Sequence, residues 1–113
     1  MAKFRATFKG RSDFERLKVS RAAIKARFFI ANAAPAYSMP ARYGLVATKK
    51  SFETAVKRNR ARRLVREWLR LSASALDPAL DYSFVLRPLI LDASREDGIK
   101  ELKKTLLKLK EMI

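Results

Sequence analysis

Six of the ten residues from 57 to 66 are Lys or Arg, and a seventh is Asn59. Such a run cannot be buried, because each unpaired cation would lose its water. Yet Ala61, Leu64, Val65, Trp68 and Ser72 recur there at three- and four-residue spacing, which marks one side of a helix. The segment from 54 to about 73 therefore reads as a helix with its apolar side on a core and its cations outward. Asn59, Arg63, Arg66 and Arg70 form the outward row. This helix needs an apolar layer beneath it and an anionic partner above it.

The charge excess extends along the whole chain. Lys and Arg number 26 against 11 Asp and Glu, a net +15 on 113 residues. Solubility alone needs a net charge of only about 2–8 in a small domain, so the imbalance favours a polyanionic partner. Cys and His are both absent. That excludes disulfides, thiolate nucleophiles, an imidazole base, the Ser-His-Asp triad and the usual zinc sites. An autonomous nuclease would instead need clustered carboxylates for two metal ions, but the acids are scattered, several of them at expected helix starts or strand edges. No apolar run approaches the roughly 20 residues of a membrane span, and Met1-Ala2-Lys3-Phe4-Arg5 lacks a secretory apolar segment. The expected compartment is the cytoplasm, with no membrane partner.

One domain over 1–113 is expected, with residues 1–11 a basic arm that could be mobile. Ser12-Asp13-Phe14-Glu15 has the capping-box pattern, predicting Ser12 as N-cap of a helix from 13 to about 19. Residues 27–32 read as a strand, Pro35 and Pro40 bracket a loop, and residues 42–48 alternate as a second strand. In that strand Tyr43, Leu45 and Ala47 share one face, and Gly44 and Val46 the other. Residues 81–87 form a third strand stopped by Pro88. Ser94 then caps a last helix with the stripe Ile99, Leu102, Leu106, Leu109 and Ile113. Its Lys103, Lys104, Lys108 and Lys110 suit the negative helix end. The order α-β-β-α-β-α, with an extra short strand near 48–52, predicts an α+β two-layer sandwich. Phe28, Phe29 and Trp68 read as core, Phe14 as core or binding surface alike, and Tyr37 stays unassigned.

Arginine outnumbers lysine in the helix, which suits forked contacts to phosphate oxygens. Like charges three and four residues apart repel, so a solvated face is the weaker reading and a nucleic-acid face the stronger. Composition alone is equally consistent with a ribosomal or general RNA-binding protein.

Only the Lys49–Glu67 motif separates these. Tyr43-Gly44-Leu45-Val46-Ala47-Thr48-Lys49-Lys50, followed by Ala55-Val56-Lys57-Arg58-Asn59-Arg60-Ala61-Arg62-Arg63-Leu64-Val65-Arg66-Glu67, closely resembles the bacterial ribonuclease P protein subunit. That family's hallmark is a strand ending in a Lys-Lys pair and then an Arg-Asn-Arg helix. Asp13-Phe14 and the Asp81-Tyr82 strand ending in Arg87 match as well, so the resemblance runs from about Phe8 to Leu109. It implies a small mixed sheet with a left-handed β-α-β crossover through the basic helix. It implies as partners the catalytic RNA of ribonuclease P and precursor tRNA, whose 5′ leader is removed by hydrolysis of one phosphodiester. Mg²⁺ would sit on the RNA, leaving this chain with no metal site and no catalytic side chain, and no protein partner is implied.

Carried over by position, the RNA-facing residues are Lys49, Lys50, Lys57, Arg58, Asn59, Arg60, Arg62, Arg63 and Arg66, and Arg70 continues their row. Phe14, Val46, Val85 and Arg87 would line a cleft for the single-stranded leader. Lys18 and Asn32 stand where the family often has aromatics, so this cleft has fewer rings on which bases stack.

Overall fold

The computed structural model describes residues 6–8, 11–37 and 41–113. A two-residue strand β1 (Ala6–Thr7) precedes helix α1 (Arg11–Lys18). Strands β2 (Ala22–Lys25), β3 (Phe29–Pro35) and β4 (Arg42–Val46) follow. Helix α2 (Ala55–Leu71) leads to strand β5 (Leu80–Leu86), and helix α3 (Arg95–Glu111) closes the chain. Short 3₁₀ turns occupy 73–75 and 88–92. The class is α+β: one mixed sheet between helices.

The strands lie in the order β1-β4-β5-β3-β2. β2 and β3 form an antiparallel hairpin, β3 pairs antiparallel with β5, and β5 runs parallel to β4. A parallel pair needs a crossover, and α2 supplies it. Period two sends Phe29, Ala31, Ala33, Tyr43, Tyr82, Phe84 and Leu86 to one face, where all are buried. Ala61, Val65, Trp68 and Leu69 of α2 and Leu102, Leu106 and Leu109 of α3 cover that face. Each large side chain so buried contributes about 1.5–3 kcal/mol.

The other face carries α1. Leu17 is fully buried beneath it, and the Phe14 ring sits against Gly44, where an added Cβ would lie 2.4 Å from Cε1. Asp81, fully buried on this face, is the anchor for α1. It pairs with the Arg16 guanidinium, whose other arm donates to Pro35 O at 2.8 Å. Its Oδ1 also accepts from the Arg42 N–H at 2.7 Å.

Several boundaries differ from the sequence expectations. The extra strand near 48–52 is a turn, because the Ser51 and Phe52 N–H groups fold back onto Thr48 Oγ1 and O at 3.2 and 2.9 Å. The additional strands are β2 and β1. β2 reads Ala-Ala-Ile-Lys, residues of good helix propensity, and only pairing with β3 makes it a strand. The strand expected at 27–32 begins at Phe29 and runs to Pro35, since the Ala26 N–H donates to Phe29 O at 2.8 Å and closes the hairpin before it. Pro35 therefore ends a strand, and Pro40 lies outside the described residues.

α1 starts at Arg11, so Ser12 is inside the helix rather than its cap; Leu17 is buried and the Phe14 ring lies against Gly44, so packing on the sheet holds it. The proposed arm is partly structure: Ala6 and Thr7 pair with Arg42 and Tyr43, and the Phe8 N–H donates to Tyr43 O at 2.8 Å. Residues 1–5 and 9–10 of it lie outside the described residues. Ile113 falls beyond α3 and is exposed, since the helix ends at Glu111 with a Met112 cap.

Candidate nucleic-acid interface

α2 is built from its cap upward. Thr54 Oγ1 accepts the Lys57 N–H at 3.2 Å. The preceding turn buries Phe52, and Arg58 Nη1 donates to Phe52 O at 2.9 Å. Arg58 is thereby drawn back over the helix start and half-buried. The same turn leaves Lys49 and Lys50 exposed beside the helix N-terminus. No acidic residue occupies the first turn of α2, so the positive end of its dipole and these lysines add to one field.

With Ala61, Val65, Trp68 and Leu69 buried, the opposite side of α2 presents Lys57, Asn59, Arg60, Arg63, Arg66 and Arg70 to solvent. Arg62 is half-buried and donates to Asn59 Oδ1 at 3.2 Å, which orients the amide. The helix has one acidic residue, Glu67, and Arg95 of α3 engages it at 2.9 Å. At the sheet side, Arg66 reaches the phenol of Tyr43. Burial pushes the Tyr43 pKa above its ordinary value, and the charge and hydrogen bond of Arg66 partly oppose that rise.

The four residues assigned to a cleft lie on the far face of the sheet. Val46 and Val85 are direct cross-strand partners, and Ile30 pairs with Val85 from the other side. All three are half-buried. Arg87 follows at the end of β5, its Nη1 donating to Ala26 O at 3.1 Å. Phe14 stands one row away over Gly44, edge-on to Phe8 with ring centroids 5.1 Å apart. The row thus continues to Lys25, the partner of Ile30. Ile30 and Lys25 were missed because the hairpin register that aligns them is not written in local sequence. The two sets of residues form separate surfaces, α2 on one face of the sheet and the valine row on the other.

The family model for Ribonuclease P matches residues 3–110. The chain belongs to the ribonuclease P protein family. Two curated relatives bear the name Ribonuclease P protein component. The one from Psychrobacter sp. (strain PRwf-1) is 38% identical over 80 residues, 71% of this chain and 61% of the relative. The one from Chromobacterium violaceum is 38% identical over 69 residues, 61% of this chain and 56% of the relative. The matched region is thus less than two thirds of either relative's length.

Among solved structures, the RNase P protein of Staphylococcus aureus superposes with a TM-score of 0.74 at 24% identity, over 92% of this chain and 94% of that one. The RNase P protein from Thermotoga maritima gives 0.69 at 24% identity, over 96% and 98%. These likenesses establish the ribonuclease P protein fold for this chain, the α+β sandwich already described.

Proposed function

We propose that this chain is the protein component of a ribonuclease P, binding the catalytic RNA through α2 and the 5′ leader of precursor tRNA on the valine row. Family membership supports the first half. The observation that carries the reading is the outward side of α2: six exposed polar side chains, five of them cationic, on a helix whose single carboxylate is already engaged. Such a row repels itself and is relieved by phosphate.

Mg²⁺ is assigned to the RNA. That assignment rests on membership of the ribonuclease P protein family. The protein's part is positional: it neutralises phosphates, holds the leader extended on the sheet, and so lets the RNA work at lower Mg²⁺. The compartment that fits this role is the cytoplasm. Precursor-tRNA cleavage by cognate RNA at low Mg²⁺, with and without the protein, tests it. Stimulation is expected, with no cleavage by the protein alone. RNA binding without stimulation would leave a general RNA-binding protein.

A further inference from the structure

Five lysines of α3 are left over by this account. Lys108 and Lys110 complement the helix dipole, which acts within the last turn. Lys104 lies nearly two turns before the end, beyond that reach. It faces a concavity of about 190 Å³ between α3 and the open edge of the sheet, lined by Lys25, Ala26, Arg27, Glu101, Lys104 and Lys108 among others. Four of those six side chains are cations. They come from segments far apart in sequence, so folding brings like charges together.

The one carboxylate there, Glu101, already accepts the Arg27 N–H at 3.0 Å. Lys25, Arg27, Lys104 and Lys108 are all exposed. They gather at the β2 edge, which β3 and β5 separate from β4, the strand whose Tyr43 Arg66 of α2 reaches. The groove also borders the valine row: Val46, Val85, Ile30 and Lys25 are successive cross-strand partners, and Lys25 lines the groove. Beside it, Arg87 is bound to Ala26 O, another lining residue.

We propose that this groove is a second site for the phosphodiester backbone of RNA, continuous around the β2 edge with the row that carries Val46, Val85 and Ile30. A strand lying across that row meets Lys25 and leaves the sheet among Arg27, Lys104 and Lys108. Ammonium groups on flexible stems suit a backbone read as charge rather than sequence. The inference rests on the RNA-binding reading above. Its ligand has two sources, the distal part of the leader or a segment of the catalytic RNA.

The test uses the protein carrying Lys104→Gln with Lys108→Gln, alone for the catalytic RNA and as holoenzyme for the precursor tRNAs, beside a control carrying Lys103→Gln with Lys110→Gln, the same charge change on the same helix outside the groove. Affinities are measured for the catalytic RNA, for precursor tRNA whose leader ends on the valine row, and for one whose leader continues past it. The groove variant is expected to bind one of these roughly tenfold more weakly, with a salt slope shallower by roughly 1.4–1.8 for two phosphates. Loss confined to the long leader identifies the substrate strand, and loss with the catalytic RNA identifies that molecule; either supports the site. Unchanged binding to all three overturns it, as it would if the groove served an acidic protein. An equal loss in the control also overturns it. If the wild-type protein binds none of the three, the RNA-binding reading itself falls.

Discussion

The Trp68 indole lies directly over Gly98: a Cβ at that glycine would stand 2.3 Å from ring atoms Cε2 and Cζ2. The contact sets how closely α2 approaches α3, and Phe28 flanks the indole with centroids 6.0 Å apart. Gly98→Ala should therefore destabilise the protein by about 1–3 kcal/mol through overpacking, although alanine favours a helix over glycine by about 1 kcal/mol. Trp68→Ala should cost about 3–5 kcal/mol. With Trp68 truncated, Gly98→Ala should turn neutral or favourable, a coupling that a double-mutant cycle by chemical denaturation reads directly.

Arg63 is exposed on the outward side of α2. Arg63→Ala should leave the melting temperature nearly unchanged and flatten the dependence of log affinity on log salt by roughly 0.7–0.9, the share of one phosphate. Salt titrations of RNA binding next to thermal melts check both halves. An unchanged slope would place the RNA elsewhere on the surface.

Tyr43 gives a pH signature. Burial raises its phenol pKa, with Arg66 opposing, so the folded chain holds that proton more tightly than the unfolded chain. The associated stability is intact below about pH 10, the ordinary phenol value, and is lost as pH climbs through the raised one. Denaturation midpoints followed into the alkaline range should fall less steeply for Tyr43→Phe than for the wild type. In Arg66→Ala the phenol should titrate higher still, as read by phenolate absorbance.

Asp81 joins α1 to the sheet through Arg16 and accepts the Arg42 N–H. Asp81→Asn removes the charge but keeps the shape, and should cost about 3 kcal/mol as a broken buried pair. Amide exchange should accelerate in α1 more than in α3, because the Leu102, Leu106 and Leu109 stripe does not depend on this anchor.

What the sequence showed and hid follows from the range of each interaction. α2 was legible because its apolar and cationic positions repeat within single turns, and Ser94 capping the Asp97 N–H is a local bond, observed at 3.1 Å. The hairpin was half hidden. Ala22, Ala33 and Ala34 have little strand propensity of their own, and they lie in strands through the pairing of β2 with β3 and of β3 with β5. Phe14 could not be assigned from its spacing. Its surroundings, Gly44 and Phe8, come from other elements. The cations of the β2 edge give no local signal for the same reason: Lys25 and Lys104 line one groove only in the folded chain.

The middle strand of the sheet is the last one made. β3 and β4 follow each other in sequence but do not pair; β5, at Leu80–Leu86, fills the place between them. During synthesis, at roughly 5–20 residues per second, a nascent chain halted before Leu80 carries the residues of the β2–β3 hairpin, the β1–β4 pair and the cationic helix, but not the strand that joins them. Both inner strand edges then stand open to other chains. The seven residues of β5 join those two halves into one sheet and complete the valine row. A product that stops before Leu80 therefore lacks Val85, the residue that links Val46 to Ile30 in the valine row.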